Sequence, residues 1–307
     1  MPKIQFVAYE IDTHNTAKLN AILSAKGADP SEMTEQEYFT LQANELRDRL
    51  REVTPQLDST ALTVFMAPEF YFKYQNGKPY SRTTFFNVGP YMEMISEAFP
   101  EVLWVPGTVW WSEPAKQDTM TVHNTALVYH HGKLIRSWQK ERLSTIDGLN
   151  AGPEVWDRWE LEHERILEAT QDPFFLASHG MDTLHVGIEI CLDHRTLDRE
   201  SPPSYGVLRT LYPKNYPEGR GVDIHLLTAA GMPMYPENVV ARSGGVFLRC
   251  DGGKDPETRS SCVLVARSGN TPDALLEWAP ILTLGKPTWI GSDLDNRVAV
   301  YPPVTVP

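Results

Sequence analysis

Short apolar runs bounded by charge or by Pro and Gly recur along the chain, and between them lie stretches with apolar residues at every third or fourth position. Lys3 to Ala8 is the first such run. After Ala28-Asp29-Pro30 the period changes, and Thr34-Glu35-Gln36-Glu37 has the form of a capping box, where a hydroxyl and a carboxylate satisfy amides at a helix start. Leu41, Leu46, Leu50 and Val53 follow at roughly helical spacing and predict a helix. Leu62 to Met66 reads as a buried strand that stops at Pro68-Glu69. Tyr91 to Ala98 predicts a second helix and Val102 to Thr108 a further strand. Thr125 to Tyr129 and Leu134 to Trp138 predict a hairpin around His131-Gly132-Lys133, with His130 and His131 exposed at the turn. Residues 150 to 172 are charged and irregular, with a short helix predicted near Trp159 to Ala169. Leu184 to Cys191 is the most strand-like stretch, and Val222 to Ala229, Val246 to Cys250 and Ser261 to Ala266 predict further strands. Ser201 to Gly221, rich in Pro, Gly and Tyr, reads as an inserted loop or lid. Strand and helix alternate, as in α/β proteins.

The chain has 307 residues, enough to bury a core without staples. Hydrophobic residues make up 41% against 22% charged, which excludes disorder as the main state. The 20 Gly and 24 Pro are spread along the chain, so no shift in composition marks a boundary and residues 1–307 read as one domain. Twenty-eight Lys and Arg against 40 Asp and Glu leave a net charge of -12, which repels nucleic acid and anionic membrane surfaces alike. The three cysteines, Cys191, Cys250 and Cys262, are too few and odd for a disulfide framework and suit a reducing compartment. No apolar run approaches the roughly 18 residues of a membrane span, and Glu10 and Asp12 interrupt the first one. A cytoplasmic protein is expected.

Three strands end in reactive residues: Met66-Ala67-Pro68-Glu69, Trp138-Gln139-Lys140, and Gly187 through Cys191-Leu192-Asp193-His194-Arg195. A thiol nucleophile needs a base and a cation beside it, and loops at strand ends are where such groups converge. Pro68-Glu69, Trp138-Gln139-Lys140-Glu141-Arg142-Leu143 and the Gly187 to Arg195 segment together resemble the nitrilase superfamily of carbon-nitrogen hydrolases. Val105-Pro106-Gly107-Thr108, Asn124 to Val128, Gly132-Lys133-Leu134, Val222 to Leu227 and Arg242 extend the likeness to most of the chain, from about Lys3 to about Ala266. The sequence departs from the family pattern at Arg142, where a His is usual, and at Ser243-Gly244-Gly245, where a Glu-Asn pair is usual.

The resemblance implies a four-layer α-β-β-α sandwich of two mixed sheets and a homodimer or higher oligomer. It also implies a Glu69-Lys140-Cys191 catalytic set. Cys191 would be the nucleophile, Glu69 the base, and Lys140 with the Leu192 amide the oxyanion donors. Glu154 resembles a further glutamate that orients substrate or lysine, or else it marks an exposed turn. Arg195 either binds a substrate carboxylate or braces the cysteine loop in a salt bridge. Tyr71, within Phe70-Tyr71-Phe72, and the pair Trp110-Trp111 either line the pocket or belong to the core. Period two sets Glu189 on the face of Cys191, as a partner for a buried basic group. Cys250 and Cys262 read as core.

The expected activity is thiol-dependent hydrolysis of a small amide or N-carbamoyl substrate through a thioester, with no cofactor and no metal. The alternatives are nitrile hydrolysis or acyl transfer on the same residues, a Cys-His hydrolase using His194 or His225, and a non-catalytic interaction protein that keeps the fold. A metal set drawn from Cys191, Asp193 and His194 lacks a second ligand cluster in the sequence.

Overall fold

A computed structural model describes residues 1–27, 29–114, 120–143, 172–196, 205–215, 221–266 and 281–307. The first sheet takes β1 (Lys3–Ile11), β2 (Ala61–Met66), β3 (Tyr80–Ser81), β4 (Val102–Val105), β5 (Thr108–Pro114), β6 (Met120–His130) and β7 (Lys133–Gln139). The second takes β8 (Phe174–His179), β9 (Asp182–Ile190), β10 (Val222–Ala229), β11 (Ala241–Asp251), β12 (Ser260–Val265) and β13 (Ile281–Thr283). The chain then returns to the first sheet with β14 (Thr288–Ile290), β15 (Asn296–Val300) and β16 (Val304–Thr305). The sheet orders are β14-β15-β1-β2-β4-β6-β5-β3, with β7 on β6 and β16 on β1, and β13-β12-β11-β10-β9-β8. Both are mixed: β1, β2 and β4 run parallel beside an antiparallel β15, and β9, β10 and β11 run parallel between antiparallel β8 and β12.

Alternation along the strands sets the layers. Ile4, Phe6 and Ala8 of β1, with Leu62, Val64 and Met66 of β2, face Ile188, Ile190 and Leu226 of the second sheet. The residues between them, Val7, Tyr9, Ile11 and Phe65, turn the other way, onto helices α1 (Thr16–Ser24), α2 (Glu35–Val53), α3 (Arg82–Asn87) and α4 (Gly89–Glu97). This is the period-two arrangement of a sheet buried on both faces. Helix α2 starts at the Thr34–Glu37 capping box read from the sequence. Its buried stripe runs through Phe39, Ala43, Leu46, Leu50 and Val53, while Leu41 is only half-buried. Among the described residues no helix is long and apolar enough to cross a membrane.

Several expectations change. The stretch expected as an inserted loop contains helix α5 (Val207–Asn215). Val207, Leu208 and Tyr212 are buried, Leu208 against Gly187 of β9, so α5 covers the outer face of the second sheet. The apolar face at 207, 208, 211 and 212 was hidden by the Pro and Gly around it. The single strand expected over Val102 to Thr108 is two strands, broken at Gly107, whose φ is 88°. His130 is buried rather than exposed, because the turn is made by His131 and Gly132, both at positive φ. Burial, with His131 and His179 nearby, pushes its imidazole down to about 4. The helix predicted near Trp159 lies outside the described residues.

Candidate active site

The ends of β2, β7, β9 and β10 meet between the two sheets. The Glu69 amide donates to the Ala229 carbonyl across them (3.2 Å), and Thr228 Oγ1 donates to the Ala67 carbonyl (3.2 Å). Gly107 permits this approach: a Cβ there would lie 2.3 Å from the Pro68 carbonyl oxygen. A strained start to each reactive loop then aims its side chain. Among the described residues only Phe70, His131 and Cys191 are non-glycine residues at positive φ, and two of these three flank or form the site. A non-glycine residue in the left-handed region costs roughly 1–2 kcal/mol and persists only where its surroundings hold it.

Lys140 donates from Nζ to Glu69 Oε1 at 2.7 Å, with both side chains fully buried. Asn124 Nδ2 donates to the same oxygen at 2.9 Å. The Lys140 ammonium also lies 5.6 Å from the centre of the Phe70 ring. The Cys191 thiol sits against the Glu69 carboxylate and the Ala230 amide. Burial and the charge of Glu69 push this thiol well above its ordinary range, and Lys140 and the Ala230 amide pull it back. Burial and the neighbouring carboxylate thus favour the neutral thiol over the thiolate. Phe70, Trp110 and Ala230 form a small apolar wall, and Trp110 stands edge-on to Phe70.

The turn that carries Cys191 is braced from two sides. Asp193 accepts the amides of Glu141 (3.1 Å) and Arg142 (2.7 Å), tying the cysteine turn to the residues after Lys140. Arg142 donates to the carbonyls of Arg195 and Tyr205, both at 2.6 Å. Behind the turn, Glu189 Oε2 accepts His194 Nδ1 (2.6 Å) and His225 Nε2 (3.1 Å), and Oε1 accepts the Leu208 amide (2.7 Å). Burial would raise Glu189, but the two histidines that donate to it hold it below the ordinary carboxylate range.

Glu189, His194 and His225 bring possible ligand atoms within 4.8 Å of one another. Each ring is nonetheless committed at both nitrogens. The Tyr235 amide donates to His194 Nε2 (3.1 Å) and the Val240 amide to His225 Nδ1 (3.2 Å), so the other nitrogen of each ring carries the proton given to Glu189. Neither ring keeps a lone pair for a metal, and neither offers a base to a thiol. The cluster is a structural clamp, as the sequence suggested for Glu189, but it lies on the face away from Cys191. The left-handed turn at Cys191 (φ 46°) breaks the alternation that would have put them together.

Of the predicted site residues, the structure brings Glu69, Lys140 and Cys191 together, with Leu192 next in the turn. Tyr71 is not at the site. Its hydroxyl donates to the Gln42 carbonyl of α2 (3.0 Å) inside the helix-facing core. Phe72 and Trp111 join that same core, leaving Phe70 and Trp110 at the site. Arg195 is exposed, and its guanidinium forms no ion pair among the described residues. Glu154 lies outside the described residues. Cys250 and Cys262 are buried core thiols, and burial pushes Cys262 up to about 12. Asn124 and Asp193 were missed as site residues; the available signal was a polar side chain standing inside an apolar strand or just after one. A cleft of about 670 Å³ opens nearby, lined by Asp12, His14, Asn15, Thr16 and Lys254, and His14 Nε2 lies 3.2 Å from the Ala230 carbonyl oxygen.

No protein-family model matches the chain, and no curated protein matches it. Among solved structures the chain is similar to the NitN amidase from Nesterenkonia sp. AN1, at a TM-score of 0.40 and 13% identity over 98% of this chain and 92% of that one. It is similar to a glutamine-dependent NAD+ synthetase from Acinetobacter baumannii, at 0.45 and 10% over 97% of this chain and 45% of the other. An N-terminal amidase solved with a Gln-Val peptide gives 0.38 and 13%, over 75% and 48%. The chain thus spans less than half the length of the last two proteins.

Proposed function

We propose that this protein hydrolyses a non-peptide carbon-nitrogen bond, in an amide or N-carbamoyl substrate, through a thioester on Cys191. The observation that carries the reading is the buried contact of Glu69 with both Lys140 and Cys191, three residues far apart in sequence that also match the three motifs of the nitrilase resemblance. A thiol, a carboxylate and a cation in one buried cluster support acyl transfer to a thiol.

In the first half-reaction Glu69 takes the thiol proton as the sulfur attacks the carbonyl carbon. The C=O pair moves onto oxygen, and Lys140 Nζ with the Leu192 amide stabilises that oxyanion, where one lost donor typically costs about 100-fold to 1000-fold in rate. The tetrahedral intermediate collapses to the thioester as the C–N bond breaks and Glu69 returns its proton to the leaving amine. In the second half Glu69 removes a proton from water, which attacks the thioester. Collapse then expels the sulfur, which recovers its proton from Glu69, and releases the acid. No step asks for a metal or a cofactor. The closed hydrogen bonding of His194 and His225 argues against the Cys-His alternative.

A panel of small amides and N-carbamoyl compounds, assayed for released ammonia or amine, tests the reading with wild type and Cys191→Ala side by side. The expected result is turnover of at least one compound that the variant lacks while keeping its fold. Variant activity above about 10% of wild type would overturn the covalent mechanism, since removing a nucleophile costs orders of magnitude.

A further inference from the structure

Asn124 grips both members of the buried ion pair. Its backbone carbonyl accepts the Lys140 amide at 2.9 Å, and its side-chain Nδ2 donates to Glu69 Oε1 at 2.9 Å. That oxygen is also the one that takes Lys140 Nζ. Asn124 is 1% exposed and Glu69 and Lys140 are fully buried, so each of these contacts is made out of water, where hydrogen bonds to a charge are strongest.

We propose that Asn124 is a positioning residue, which fixes Lys140 against Glu69 and keeps Glu69 the proton acceptor for Cys191; the proposal rests on the reading of Glu69 as the base. A carboxylate and an ammonium in contact at low dielectric can neutralise each other by passing a proton from Nζ to Oε1. That transfer would leave a neutral amine, which cannot stabilise an oxyanion, and a carboxylic acid, which cannot take the thiol proton. A neutral N–H donor on Oε1 favours the carboxylate without adding a charge. With two donors on Oε1, the thiol proton goes to the other oxygen: the S–H bond breaks, an O–H bond forms on Glu69, and the electron pair stays on sulfur. Among the described residues the titratable groups facing Glu69 are Lys140 from the end of β7 and Cys191 from the end of β9, while the end of β10 presents the Ala230 amide.

The test needs no substrate. Alkylation of Cys191 by iodoacetamide is followed by intact mass and peptide mapping between about pH 5 and 10, in wild type, Asn124→Leu and Asn124→Asp, with melting curves for each. Asn124→Leu keeps the volume and removes the donor, so alkylation at neutral pH falls about tenfold or more and the acidic limb of the profile moves up by about one pH unit. Asn124→Asp keeps the shape and donates only while protonated, so its profile stays near wild type at low pH and falls away as the new carboxyl ionises. It also serves as the second probe if Asn124→Leu folds poorly. Profiles of folded variants that superimpose on wild type, or that drop by one factor at every pH, would overturn the positioning role. A wild-type protein whose Cys191 reacts no faster than Cys250 and Cys262 would overturn both this proposal and the hydrolase reading, whereas selective Cys191 labelling with unshifted variants would overturn this proposal alone.

Discussion

Replacing Glu189 by Gln tests the clamp behind the nucleophile through stability alone. Glu189 is fully buried and accepts three hydrogen bonds, from His194, His225 and the first turn of α5. Its carboxyl is held below its ordinary value of 4.5. A hydrogen bond to a buried charge contributes about 1.5–3 kcal/mol, so losing one of the three would cost about that much folding stability. The sign follows from the direction of the shift. A depressed carboxyl contributes fully above its unfolded value, near 4.5, and its contribution is lost as pH falls through its lowered folded value. A Gln side chain sets an N–H₂ against ring N–H groups and meets only part of the demand. Glu189→Gln is therefore expected to lower Tm by about 5 °C or more at neutral pH for a protein of this size. Differential scanning fluorimetry between about pH 7 and 3 should show the gap between the two proteins constant above about pH 5 and closing below it. A variant that melts with wild type at neutral pH, or a gap that ignores pH, would refute the reasoning that an ionised Glu189 anchors the two rings.

Two further outcomes follow from the same geometry. Glu69→Gln removes the proton carrier of both half-reactions, so release of ammonia or amine from an active amide should fall by about 100-fold or more, and activity within about tenfold of wild type would mean that Glu69 is not the base. Gly107→Ala puts a Cβ against the Pro68 carbonyl and forces a side chain into φ 88°, so it should cost about 2 kcal/mol or more. Because Pro68 precedes Glu69, Cys191 alkylation should slow as well, and a variant unchanged in both melting and alkylation would show that the loop has room to give.

The sequence carried most of the strand framework, because period and residue type report which faces are buried. Val222–Ala229 and the capping box of α2 are of this kind. Helix α5 was illegible because a nine-residue amphipathic turn among prolines and glycines has too few periods to stand out. The returning strands β15 and β16 owe their place to pairing with β1, from which they are separated by nearly the whole chain, and β14 to pairing with β15, and short-range pattern cannot report that. At the site, Glu69, Lys140 and Cys191 were legible as motifs. Glu189 was misplaced by assuming strict alternation where the backbone enters the left-handed region at Cys191, while Tyr71, left open between pocket and core, sits in a loop whose facing no strand period reports. Asn124 is the complementary case, since its role comes from which oxygen it reaches rather than from its neighbours in sequence.

The left-handed turns at Phe70 and Cys191 set stability against activity at the two reactive loops. A residue without a Cβ would relax the turn at 191, so Cys191→Gly should melt above Cys191→Ala by up to about 1 kcal/mol, a ranking opposite to that in a strand interior. A laboratory selection for heat resistance alone would therefore reward loss of the Cys191 thiol. Thermostabilising work on this scaffold needs a selection that scores thiol reactivity in the same round, or it will drift toward well-folded proteins with nothing left to react.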